Sequence, residues 1–268
     1  MLPESRPHGL RFALQMNGSA DVDPSLPHKG SPPMQSNFYR PAGYATVTLG
    51  FLSLGYGLTT LLVRIDFFGI EAASPSEVIS FLQTNTGTLE LALMSAMVGY
   101  LLAVPMMLII TAAAFQGLTT RTLGRDVAVG LVWASLPLRP LWWAAMIVLM
   151  PTMLAVSGSS TEPATTAATV VGYQMIYTVL NTATEDIAVN ILGGIWFGIV
   201  GVVMAKSAGV SRILGLTGVF IGACYVVSSA ELFGLSMGTS GEIIPLLAGV
   251  LGPFWLGAAG LYAVRKIT

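Results

Sequence analysis

In the stretch SLPLRPLWW, residues 135–143, one arginine stands within the apolar run from Val127 to Val156. Arg139 has Pro137 two places before it and Pro140 directly after it. A guanidinium stays charged and carries five N–H donors, so in apolar surroundings it calls for an anion, carbonyls or water. A second polar group lies in NTATEDIAVN, residues 181–190. There Thr182, Asp186 and Asn190 follow at i, i+4 and i+8, a stripe along one helix face. Arg139, Asp186 and Asn190 form a candidate polar centre, with Glu90 and Glu231 as further candidate members. The chemistry open to it is binding, with Arg139 as ligand to an anion or lipid headgroup and Asp186 as counter-ion or proton carrier.

Catalysis finds less support. His8 and His28 both lie near the N-terminus, and Cys224 is the single cysteine. With no HExxH and no His or Cys cluster, neither a metal site nor a cofactor is expected. No GxSxG nucleophile elbow occurs. Glu185 and Asp186 are adjacent carboxylates, but neighbouring helical positions point about 100° apart and do not flank one bond. Several carboxylates also have a purely local reading. Thr182-Ala-Thr-Glu185 and Thr239-Ser-Gly-Glu242 read as capping boxes, and Gly87-Thr-Leu-Glu90 as a looser one, each setting a glutamate at a helix start. Glu231 ends a helix, where headgroup water can solvate it.

Helices must carry these residues, and composition says where the helices sit. The 268 residues are 54% apolar and 9% charged, with 12 basic and 13 acidic side chains. The mean hydropathy of +0.75 places the chain in the membrane class. The near-zero net charge gives no reason to expect nucleic acid. Residues 1–41 hold seven prolines and no long apolar stretch, and read as a disordered cytoplasmic tail. Met34 and Met16 are alternative starts of translation.

The remainder, 42–268, reads as one six-span transmembrane domain. Apolar runs at about 42–63, 88–115, 127–156, 186–205, 212–233 and 242–264 are each long enough to cross roughly 30 Å of hydrocarbon. Counting 186–205 but not 164–184 as a span collects Lys29, Arg40, Arg121, Arg125, Lys206, Arg212, Arg265 and Lys266 on one side. Only Arg64 remains on the other, so the positive-inside rule puts both termini on the cytoplasmic side of the membrane. The segment 164–184 then reads as an outer helix, lying at the interface or extending the fourth span. A second interfacial helix is expected at 75–83, opened by the capping box Ser74-Pro-Ser-Glu77. Pro105, Pro137, Pro140, Pro151, Pro245 and Pro253 predict kinks. Gly194/Gly198 and Gly218/Gly222 have GxxxG spacing for close helix contacts.

At about 1.5 Å per residue, Arg139 lies about 20 Å above Asp126, and Asn190 about 22 Å above Ala205. Asp186 and Glu231 come out at about 28 Å and Glu90 at about 37 Å, so Glu90 needs a kink or tilt to take part. Three arrangements of Arg139 stay open. It ties two helices through Asp186 or Asn190, it lines a hydrated cavity for an anion, proton or headgroup, or it snorkels to an interface.

The layout also resembles a known family. TLELALMSAM opens the second span, LPLRPLWW carries the mid-span arginine, and TEDIAVNILGGIWFGIVGVVM forms the fourth span. The short basic turn of KSAGVSRILGLTGVFIG follows. Over about residues 42–266 the chain resembles a bacterial six-span membrane family, a domain of unknown function of the 4386 type. It lacks the proline usual in that basic turn and carries a long N-terminal tail. The resemblance implies an all-α polytopic integral membrane protein, a six-helix transmembrane bundle, with Glu90, Arg139 and Asp186 at the polar positions. It implies no activity and no cofactor. The expected partners are the lipid bilayer, a small anion or lipid headgroup, and a second copy or another membrane protein. The expected function is small-solute, ion or lipid binding or transport around Arg139. The alternative is an accessory or sensor subunit associating through its GxxxG faces, with an intramembrane enzyme behind both.

Overall fold

The computed structural model describes residues 36–64, 74–116, 122–160, 162–235 and 240–267, and every regular element among them is a helix. Helix α1 spans Ser36–Thr59 and ends in a π turn, Thr60–Arg64. It is followed by α2 (Pro75–Ala114), α3 (Leu123–Ser135), α4 (Leu141–Ser159) and α5 (Pro163–Asn181). A π-helical segment, Thr182–Gly193, joins α5 to α6 (Gly194–Ala205). Then come α7 (Val210–Ser228), a 3₁₀ turn (Ser229–Phe233) and α8 (Ser240–Ile267). Six paths among the described residues are long and apolar enough to cross a membrane. The expected disordered tail lies outside the described residues over 1–35, as do the side chains of Arg64, Arg121, Glu231 and Glu242. Residues 36–41, read as tail, are helical and begin α1.

The first of the two expected outer helices is not a separate element. Residues 75–83 are the first turns of α2, a single helix of 40 residues, about 60 Å long. The polar run Gln83-Thr-Asn-Thr-Gly87 does not interrupt it, because its side chains bond back along the helix. Thr84 Oγ1 donates to Ser80 O at 2.8 Å, Asn85 Nδ2 to Phe81 O at 2.9 Å and Thr86 Oγ1 to Leu82 O at 2.7 Å. The capping box opens α2 as expected, with Ser74 N–H donating to Glu77 Oε2 at 2.8 Å and Pro75 in the first turn. Of the two arrangements expected for 164–184, the chain adopts the second. One path of 43 residues runs from Pro163 to Ala205, so this segment extends the fourth span.

The paths pack around a central space, with α2 lying against α8 as well as against its chain neighbours. Helix α1 lies against α2 and α8, and α7 against α6 and α8. The third path bends past the fourth, α3 beside the π segment and α6, α4 beside α5, and α2 touches both. Two pairs approach through glycine. A Cβ on Gly57 would stand 2.6 Å from Ala96 N, and one on Gly222 would stand 2.6 Å from Gly194 O. Three of the four GxxxG glycines are engaged inside the chain: Gly194 and Gly222 meet across α6 and α7, and Gly218 meets the Trp255 indole of α8, while Gly198 faces nothing within 4 Å. Hydrogen bonds join the helices toward the end of the bundle that carries the termini. Lys266 Nζ donates to Ala113 O at 3.1 Å, and Trp255 Nε1 to Leu214 O at 2.7 Å. Trp196 Nε1 donates to Thr111 Oγ1 at 2.9 Å across α6 and α2.

Candidate functional site

Pro137 and Pro140 do more than kink the third span; they break it. Neither ring nitrogen can donate, and residues 136–140 form turns between α3 and α4. Arg139 N–H still reaches Ser135 O at 3.1 Å, and Leu141 N–H reaches Leu138 O at 3.2 Å. The π segment supplies the remaining support. Thr184, fully buried, donates its hydroxyl to Leu138 O at 2.9 Å and accepts from Trp142 N–H at 3.3 Å. One threonine thus bridges both sides of the break, which leaves few polar backbone groups without a partner at membrane depth.

The break aims Arg139 inward, at 5% exposure. Its Nε donates to Ser135 Oγ at 3.0 Å, and its Nη2 lies 3.4 Å from Met107 Sδ, a weak acceptor. The other three N–H donors have no partner among the described residues. The helix tie to Asp186 or Asn190 is not formed, because the stripe bonds along its own helix instead. Asn190 Nδ2 donates to Asp186 Oδ1 at 3.2 Å. Snorkelling is also not the arrangement, since the guanidinium is buried.

What Arg139 faces is a cavity of about 430 Å³, lined from all six paths. That volume falls within the range of about 300–1,000 Å³ typical of small-molecule sites. Its two sides differ. Arg139, Glu185, Asp186 and Asn190 make one side polar, while Leu54, Leu58 and Leu62 of the first path and Leu246 and Leu256 of α8 make the other apolar. Phe197 and Tyr225 also line the cavity, and their rings lie 5.5 Å apart. Leu62 and Leu246, 39% and 55% exposed, mark where it opens, away from the end that carries the termini.

Glu185 overturns its local reading. No helix begins at Thr182, so Glu185 caps nothing; it lines the cavity and accepts a hydrogen bond from Tyr100 Oη at 2.5 Å. The buried Trp143 holds that phenol in place, ring centroids 4.9 Å apart, and Trp142 packs on Tyr177 at 5.1 Å. Sequence reasoning missed Tyr100, Tyr225 and Glu185 as cavity residues. The available signal was Glu185 beside Asp186 at the centre of a long apolar run. Glu90 does not line the cavity; it sits half-buried on α2, ten residues and about 15 Å before Tyr100, with no kink between them to bring it inward. Glu231 lies in the 3₁₀ turn after α7, its side chain outside the described residues.

A family model described as Domain of unknown function (DUF4386) matches residues 46–258. No curated protein and no solved structure gives a match to this chain. The matched range contains every residue that lines the cavity, from Leu54 to Leu256. Six apolar helical paths and a match over most of its length make this chain an integral membrane protein belonging to the DUF4386 family.

Proposed function

We propose that this protein binds a small molecule bearing an anionic group at Arg139 and carries it through the central cavity. The observation behind this reading is the buried guanidinium with three N–H donors open to a cavity of small-molecule size. Charged groups at membrane depth face cavities or partners, and this one makes no close salt bridge among the described residues, with Glu185 facing it across the same cavity. For orientation, Arg40, Arg125, Lys206, Arg212, Arg265 and Lys266 all fall at the end that carries the termini. The positive-inside rule then supports a bacterial inner-membrane location, cytoplasmic termini and a cavity mouth facing outward. The accessory-subunit alternative keeps only Gly198 as an open glycine face, because Gly194, Gly218 and Gly222 pack within the chain.

Water access tests the reading. In a Cys224→Ala background, Asn190→Cys lines the cavity, whereas Met146→Cys replaces a fully buried side chain as control. A membrane-impermeant thiol reagent added outside should label the first and spare the second. A folded Asn190→Cys protein that resists labelling would mean a closed cavity, and the proposal would fail.

A further inference from the structure

We infer that the ligand is a zwitterion, an anionic group with a primary ammonium a few ångströms away, attached to an apolar chain. This rests on the proposed binding role of Arg139 and specifies its substrate class. The argument begins with charge. The groups facing the cavity are Arg139 from the break, Glu185 and Asp186 from the π segment, Tyr100 from α2 and Tyr225 from α7. Among the described side chains, α1 and α8 add no charge there. With all three ionised, the site holds one positive and two negative charges.

A simple anion would meet the guanidinium but leave both carboxylates facing added negative charge. A simple cation would suit the carboxylates and leave the guanidinium with three empty donors. A zwitterion satisfies both sides. Its anionic group takes the fork of Arg139, whose planar donors match carboxylate or phosphate oxygens. Its ammonium, a donor on every side, meets Glu185, one of whose oxygens is already occupied by Tyr100.

The chain is argued from the opposite wall. Leu54, Leu58 and Leu62 of the first path and Leu246 of α8 give the cavity an apolar side that continues to its exposed rim. A freely soluble zwitterion would leave this wall wet, whereas an acyl chain covers it and leads outward between α1 and α8. An aminoethyl phosphate headgroup on a lipid has this combination.

The test uses the full-length protein in a lipid-free detergent and reads the thermal unfolding midpoint. The probes are lysophosphatidylethanolamine, lysophosphatidylglycerol, lysophosphatidylcholine and O-phosphoethanolamine. Ligands that bind only the folded state raise the midpoint, by about 2–8 °C near saturation for a chain of this size. The ethanolamine lysolipid should give that rise. The glycerol lysolipid lacks an amine and the choline lysolipid lacks ammonium N–H, so both should give less than a quarter of it. Arg139→Met should abolish the response. Glu185→Gln keeps an acceptor for Tyr100 and should bring the ethanolamine and glycerol lysolipids to parity.

Equal responses to ethanolamine and glycerol headgroups in the wild type would overturn the zwitterion and leave an anion site at Arg139. An equal response to O-phosphoethanolamine would overturn the chain and assign the site to a free zwitterion. No response to any probe, in a protein whose Asn190→Cys variant labels from outside, would overturn this inference while the cavity reading stands.

Discussion

Replacing Arg139 with methionine should leave the unliganded protein as stable as before, or more so. The structure supplies both sides of the balance. Arg139 loses a charge-assisted bond to Ser135 Oγ at 3.0 Å, worth about 1.5–3 kcal/mol, and a weaker contact to Met107 Sδ. The Ser135 hydroxyl is not stranded, because it also donates to Val132 O at 2.9 Å. Against this, a guanidinium at mid-membrane depth costs about 2.5–3.5 kcal/mol on insertion scales. Methionine is unbranched and fills the volume of the arginine stem. The net change is about 0–2 kcal/mol in favour of the variant. Reversible unfolding in bicelles measures it, with tryptophan fluorescence as signal since Trp142 and Trp143 adjoin the break. Arg139→Lys keeps the charge without the fork and should stay near wild type. A loss above about 2 kcal/mol in Arg139→Met would refute the reasoning and make Arg139 a structural tie.

Two further predictions concern the supports of the site. Thr184→Val removes both bonds across the helix break and should cost about 1–3 kcal/mol in the same assay, while Thr184→Ser keeps them and should cost under about 1 kcal/mol. Gly222→Ala puts a Cβ 2.6 Å from Gly194 O and 2.8 Å from Gly198 N, both backbone atoms that cannot swing aside. It should lower stability by about 1–3 kcal/mol, whereas Gly198→Ala meets nothing within 4 Å and should be neutral or slightly stabilising.

Hydropathy and basic residues were enough to read six spans, because membrane crossing is a property of runs of about 20 residues and not of tertiary contacts. The level shared by Arg139 and Asn190 was legible for a related reason: helical rise is constant, and the two counts from the basic end agreed within about 2 Å. Glu185 was not legible. Thr182-Ala-Thr-Glu185 is a sound capping box as a local pattern, but a cap forms only where the preceding chain leaves the helix. Here it does not, since α5 runs on into the π segment while Tyr100, from another helix, takes the carboxylate. The same limit applied at Pro75–Gly87, where Thr and Asn side chains bond back to carbonyls and α2 continues. The missing tie at Arg139 was also beyond the sequence, because Asp186 and Asn190 could bond to Arg139 or to each other, and only packing decides.

Two irregular stretches of the membrane path face each other. Residues 136–140 break the third path, and Thr182–Gly193 widen the fourth into a π-helix; both line the same cavity. Regular α-helices would satisfy the backbone at lower cost, and irregular backbone is tolerated at this depth only when buried or lining a cavity. Widened turns are rare, and they cluster at functional sites because they re-aim side chains without ending the helix. Here the π segment presents Glu185, Asp186 and Asn190 to the cavity, while α5 keeps its face on α4 and α6 keeps its glycine face on α7. The glycine-packed pairs α1–α2 and α6–α7 are regular where these two stretches are not. Buried charge is thus concentrated on one wall of the cavity, and close packing surrounds it. That distribution is the one expected when a binding site, and not the fold, dictates where the helices depart from regularity.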